Sequence, residues 1–104
     1  PALGMGLGGY MVDAAEAHCI GLVNHLCATG DLESTTLTLA QNLGSKSPLT
    51  IRAAKRAVRA ALELPLAEGI EFERDEFCAL FDTDDKEIGV KAFLARERPE
   101  WQGR

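Results

Sequence analysis

Cysteine is scarce in this 104-residue chain. Cys19, Cys27 and Cys78 form an odd set, too small for a disulfide framework, and they point to free thiols in a reducing compartment. No apolar run approaches the roughly 18 residues needed to cross a bilayer, so a membrane is not an expected partner. Four prolines and ten glycines without a period exclude collagen-like and low-complexity chains. Nothing resembles a signal peptide, and the first residue is Pro1, so the chain is expected to begin inside a longer polypeptide. With reduced thiols, this places it in the cytoplasm or, equally, a mitochondrial matrix.

Positive charge is missing from the first 44 residues, which hold only Asp13, Glu16, Asp31 and Glu33 as charged groups. Such an uncharged stretch is expected either to be a well-covered core segment or to pack against protein outside the chain. Residues 45–62 then carry five bases and no acid, and residues 63–104 carry twelve acids and six bases. The net charge of −5 opposes general binding to nucleic acid. At 11.2 kDa, folding hides only about 60–65% of the unfolded surface, enough for one core but not for a deep catalytic cavity.

What is present reads as helix. Gly8-Gly9 ends any helix in the apolar opening segment. Asp13, with Glu16 three residues on, is a capping-box-like start, and Gly21 stops that short helix. Leu22–Leu26 reads as a short extended segment. Asp31 caps a second helix, with Leu32, Leu39, Ala40 and Leu43 on its apolar side and Gly44 as its stop. Ser47-Pro48 opens a third, with Ile51, Ala54, Val58, Ala61 and Leu62 inward. After Pro65 a fourth helix runs from Leu66 to Phe81, with Leu66, Ile70, Phe77, Leu80 and Phe81 inward. Thr83 and Asp84 cap a last helix to about Arg96, and Pro99 prevents it from going far. The pattern predicts four or five helices and almost no strand.

Several constellations bear on chemistry. Gly4-Met5-Gly6-Leu7-Gly8-Gly9 satisfies G-x-G-x-x-G, but no strand can feed it, which favours glycines at a close helix contact over a dinucleotide turn. His18, Cys19, His25 and Cys27 fall within ten residues, yet adjacent His18 and Cys19 point about 100° apart on a helix and cannot easily face one metal. No metal site is expected. Nor does any third group orient a Cys–His nucleophile pair. Arg52, Lys55, Arg56 and Arg59 make a basic stripe, read as a solvated helix face or as an anion contact. Phe72, Phe77, Phe81, Phe93 and Trp101 are core by their spacing. Beside Arg96 and Arg98, they could instead wall a flat pocket for an adenine ring with a cation for phosphate.

In order, these motifs carry a resemblance. Val12-Asp13-Ala14-Ala15-Glu16-Ala17 followed by Gly21-Leu22-Val23-Asn24 resembles the A-x-E-A…G-L-V-N stretch of the enoyl-CoA hydratase/isomerase (crotonase) family. Ser47-Pro48 with Ala54-Lys55 is similar to that family's next helix. Phe77, Phe81, Thr83-Asp84, Gly89, Ala92-Phe93, Arg98-Pro99 and Trp101 resemble its closing run. The sequence departs from the family at Leu7-Gly8-Gly9-Tyr10, where L-T-G-R is usual. It departs again at Ile88, where an acid is common, and at Glu97, where a base is common.

The resemblance implies a mainly α chain: the helical C-terminal (trimerisation) region of a crotonase-type α/β protein whose ββα spiral core is absent here. Residues 1–44 are then core-packing helices and a short extended segment, and residues 45–104 are helices of assembly and of a coenzyme A wall. It implies an enzyme acting on acyl-CoA thioesters, most simply by hydration of 2-enoyl-CoA. The oxyanion hole and catalytic glutamates would lie in the missing part, so no catalytic residue is expected in this chain. Phe77, Phe93 and Arg96 would contribute to coenzyme A binding, including in a neighbouring subunit. No cofactor is implied beyond the coenzyme A thioester as substrate, and the implied assembly is a homo-oligomer, a trimer or dimer of trimers. The rival reading is a stand-alone helical oligomerisation module without catalytic activity.

Overall fold

The computed structural model describes residues 2–104, and every element among them is helical. Six α-helices follow in order: α1 (Ala2–Gly8), α2 (Ala14–Cys19), α3 (Leu32–Gly44), α4 (Pro48–Ala60), α5 (Leu66–Ala79) and α6 (Asp84–Ala95). Short 3-10 turns, Thr29–Asp31 and Leu80–Asp82, precede α3 and follow α5. The chain divides into two compact units, Pro1–Thr38 (described from Ala2) and Leu39–Arg104, so the division falls within α3.

In the first unit the helix ends are set by local chemistry. Gly9 and Gly21 take φ values of 62° and 76°, a left-handed region in which a Cβ is strained, and the chain turns out of α1 and α2 there. Tyr10 folds back on α1, and its ring occupies the space that a Cβ at Gly4 or Gly8 would need. Asp13 Oδ1 accepts the Glu16 N–H at 2.8 Å and caps α2. Leu22–Leu26 is irregular, not a strand: among the described residues there is no strand to pair with it. Asp31 does not cap α3 with its side chain. It lies in the 3-10 turn, and its carbonyl accepts the Ser34 hydroxyl instead.

The second unit is built on a hairpin of α4 and α5, turned by Ala61–Pro65. Ala53 is buried, with Ala57 and Ala60 half-buried on the same face, a stripe of small side chains at i, i+4, i+7 that lets α5 approach. From α5, Gly69, Phe72 and Glu76 are the half-buried positions, joined by Leu80 of the following 3-10 turn. The expected apolar faces need correction here. Ile51 and Val58 of α4, Leu62 just beyond it, Leu66, Ile70 and Phe77 of α5 and Phe81 of the following 3-10 turn are exposed, Leu62 to 86%. So are Leu32, Leu39 and Leu43 of α3. Helical spacing identifies an apolar stripe but not what covers it, and this chain holds too little protein to cover two stripes per helix. Ala17 and Ala53 are the buried apolar residues, and no large side chain is fully enclosed among the described residues.

Candidate functional site

The two most buried polar residues meet each other. Ser47 stands at the N-cap of α4, but its hydroxyl makes no cap bond and instead donates to Asp85 Oδ2 at 2.6 Å. Asp85, in the first turn of α6, also accepts from the chain's last described residues. Its Oδ1 takes the Gln102 N–H at 2.7 Å and the Gly103 N–H at 3.1 Å, and Oδ2 lies 3.2 Å from the same Gly103 nitrogen. The Asp85 N–H in turn donates to the Arg104 carbonyl at 3.0 Å. Ser47 and these two amides hold the Asp85 carboxyl below its usual range, the hydroxyl contributing most, against the opposing effect of burial.

Trp101 completes this cluster. Its Nε1 donates to the Ser45 carbonyl at 2.8 Å, and its ring lies over Gly89 where a Cβ would stand 3.1 Å away. On the surface beside it, Arg104 Nε pairs with Asp84 Oδ2 at 3.0 Å. Thr83, at the N-cap of α6, accepts the Lys86 N–H at 3.2 Å while donating to the Leu80 carbonyl at 2.6 Å. Sequence reasoning found Thr83 but not Ser47, Asp85 or Trp101 as one cluster, because their partners lie 17 to 56 residues away and no local spacing signals them.

The residues expected to contact coenzyme A are all exposed. Phe77 of α5 is stacked edge-on against Phe81 with ring centroids 5.1 Å apart, and Lys86 Nζ lies 5.5 Å from the Phe81 centroid. Phe93 and Arg96 share the C-terminal end of α6. Phe93 is 82% exposed, and Arg96 takes φ 56°, the one left-handed non-glycine among the described residues. The Glu97 N–H closes onto the Ala92 carbonyl at 2.9 Å and the Arg96 N–H onto the Phe93 carbonyl at 3.2 Å, a Schellman end normally given to glycine. An arginine there costs about 1 kcal/mol of backbone strain.

An open groove of about 430 Å³ runs between α4 and α5 over Ala53, Ala54 and Ala57, walled by Ile70, Phe77 and Leu80. Phe77 lines it; Phe93 and Arg96 do not. A smaller space of about 230 Å³ lies nearer the hairpin turn, lined by Ala57, Val58, Leu64 and Leu66 among others. The structure therefore joins Phe93 with Arg96 on one helix end and places Phe77 on another helix, and neither of these two grooves is shared by the three. Arg56 of the basic stripe is bound to Glu76 of α5, its Nε 3.0 Å from Oε2. That contact raises the arginine's pKa and lowers the glutamate's. Arg52, Lys55 and Arg59 remain on the exposed surface.

The other constellations do not assemble. Gly4 and Gly6 of the G-x-G-x-x-G pattern lie inside α1, so no loop cradles a phosphate. Among the described residues no group of three or more His, Cys, Asp or Glu side chains is placed to hold a metal ion. No helix of the structure is long and apolar enough to cross a membrane.

Comparison with known proteins decides the lineage. The family model for enoyl-CoA hydratase/isomerase matches residues 1–104. The chain belongs to the enoyl-CoA hydratase/isomerase family. It is 42% identical over 103 residues to a probable enoyl-CoA hydratase of Rhizobium meliloti, covering 99% of this chain and 40% of that protein. A probable mitochondrial enoyl-CoA hydratase of Dictyostelium discoideum is 37% identical, with 99% of this chain and 37% of the relative covered. The crystal structure of an enoyl-CoA hydratase subunit from Geobacillus kaustophilus superposes with a TM-score of 0.83 at 38% identity, over 93% of this chain and 38% of that one. The chain thus spans about 40% of the length of the curated relatives it matches, and it is an all-helical portion of a crotonase-type fold.

Proposed function

We propose that the protein carrying this chain acts on acyl-CoA thioesters, most simply adding water across a 2-enoyl-CoA double bond, and that this chain is its helical C-terminal region. The family match over the whole chain carries this reading. The implied mechanism polarises the thioester carbonyl in an oxyanion hole while glutamates move the proton and the water. These groups belong to the portion outside the chain. No cofactor beyond the coenzyme A of the substrate is required by this chemistry, and the setting is the cytoplasm or a mitochondrial matrix.

Two roles fall to the helices described here. The exposed apolar stripes of α3, α4 and α5 support a role in assembly, a trimer or a dimer of trimers, because surface of that kind is stable only when covered. Phe77, Phe93 and Arg96 contribute to the coenzyme A wall: exposed aromatic faces suit an adenine ring and the guanidinium suits phosphate.

The full-length protein assayed with crotonyl-CoA is expected to hydrate it, and the 104-residue chain alone is expected to be inactive. Turnover by the isolated chain at verified mass overturns the assignment of catalysis to the remaining portion. Failure of the full-length protein on 2-enoyl-CoA substrates of several lengths overturns the hydratase reading. Phe93→Ala and Arg96→Ala are expected to weaken coenzyme A binding in the assembled protein.

A further inference from the structure

Residues 97–104 form a return strap along α6. The left-handed turn at Arg96 reverses the chain, Trp101 lies over Gly89 midway along the helix, and Gln102 and Gly103 reach Asp85 in its first turn. The strap is therefore fastened at the end of α6 opposite to Arg96, about 16 Å away at 1.5 Å per residue. Its buried fastening is one carboxylate, 2% exposed, which satisfies two strap amides and the Ser47 hydroxyl at once, beside the Asp85 N–H to Arg104 carbonyl bond and the exposed Arg104–Asp84 pair. A second tie, Trp101 Nε1 to the Ser45 carbonyl, anchors the strap to the segment before α4. With the strap free, only the two local bonds of the turn, Glu97 N–H to the Ala92 carbonyl and Arg96 N–H to the Phe93 carbonyl, hold Arg96 in its strained φ against fraying of the helix end.

We propose that Asp85 is a positioning residue for the coenzyme wall: by clamping the strap it holds the left-handed turn at Arg96 and so aims the guanidinium. This inference rests on the reading of Arg96 as a coenzyme A contact. Asp85 itself touches no substrate. It acts through eight residues of backbone whose two ends are Arg96 and the Asp85 clamp. Ser47 has a subordinate part, since its hydroxyl orients the carboxylate toward the two amides and forgoes the cap position of α4 to do so.

The test uses the full-length protein. Hydrogen exchange at Gln102 and Gly103 reads the clamp, and KM and kcat for crotonyl-CoA against crotonyl-pantetheine, which lacks the nucleotide, read the aim of Arg96. Asp85→Asn keeps the size of the side chain but loses acceptor capacity, and it is expected to speed exchange of both amides by about tenfold or more. It should raise KM for crotonyl-CoA by about tenfold with kcat little changed and leave KM for crotonyl-pantetheine unmoved. Ser47→Ala, the milder variant, should shift both readouts in the same direction by less. Unchanged exchange overturns the clamp. Faster exchange with an unchanged KM for crotonyl-CoA, or an equal rise for both thioesters, overturns the positioning role. If Arg96→Ala also leaves KM for crotonyl-CoA unchanged, the coenzyme contact itself fails; if Arg96→Ala raises it and Asp85→Asn does not, only the present inference fails.

Discussion

Ser47 donates its hydroxyl to Asp85 at 2.6 Å although it occupies the N-cap position of α4, where a serine ordinarily serves its own helix. The bond joins residues 38 apart in the chain and ties the start of α4 to the first turn of α6. A helix-end residue has been given over to tertiary structure.

That exchange has an acid signature. The Asp85 carboxyl is held below its ordinary value, chiefly by Ser47 and then by the Gln102 and Gly103 amides, so its ionised form favours the fold. A lowered carboxylate contributes stability that is fully present above the unfolded value of about 3.9 and is lost as pH falls through the folded value. Stability of the wild-type protein, followed by urea denaturation, is expected to fall between pH 4 and lower pH more steeply than that of Ser47→Ala. Equal slopes for the two proteins would show that the serine does not set the carboxylate's titration.

Thr83 supplies the contrasting case of a cap that stays with its helix. Its Oγ1 accepts from Lys86 N–H and donates to the Leu80 carbonyl, so Thr83→Ala removes two bonds at once. A loss of about 1–2 kcal/mol is expected from thermal or urea unfolding. Thr83→Ser, which keeps both bonds, should recover most of it.

Arg56 and Glu76 cross from α4 to α5 with their side chains 56% and 21% exposed. Water and salt therefore screen the pair, and its share of stability is expected to be small and to shrink further as salt is raised. A double-mutant cycle with Arg56→Gln and Glu76→Gln at low and high salt measures this. A coupling that persists undiminished in high salt would mean that the pair is better shielded than its exposure in this structure indicates.

Helix ends were legible in the sequence because the residues that set them act locally. Gly9, Asp13, Gly21, Gly44, Pro48 and Thr83 each mark a boundary in the structure within a residue or so of the expectation. The inward faces were not legible. Val58 and Leu62 have the spacing of a core stripe, but the best-covered stripe is Ala53, Ala57 and Ala60, and among the described residues the other stays exposed. Leu22–Leu26 has a strand's composition and, among the described residues, no strand to join. The role of Asp85 was hidden for a further reason. An acid in the first turn of a helix is favourable on dipole grounds alone, so Asp84 and Asp85 look alike until the strap covers one of them. Of the three residues proposed as coenzyme A contacts, the i, i+3 spacing of Phe93 and Arg96 gives their shared helix end, whereas no spacing relates either to Phe77.

Gly89 and Gly69 make opposite predictions from the same substitution. Both lie within helices, where alanine is intrinsically better by about 0.5–1 kcal/mol. At Gly69 a new Cβ meets nothing within 4 Å, so Gly69→Ala should realise that gain as a raised Tm. At Gly89 the Cβ would stand 3.1 and 3.2 Å from two atoms of the Trp101 ring. The ring cannot easily retreat, because its Nε1 is tied to the Ser45 carbonyl at 2.8 Å and the next two residues are held by Asp85. Overpacking of this kind costs about 1–3 kcal/mol, which exceeds the helical gain, so Gly89→Ala should lower Tm. Replacing Trp101 by leucine in the Gly89→Ala background separates the two contributions. With the ring removed, the alanine should be neutral or favourable relative to Trp101→Leu alone. If Gly89→Ala instead stabilises the protein with Trp101 in place, the ring is free to move, and the strap is held less firmly than its hydrogen bonds indicate.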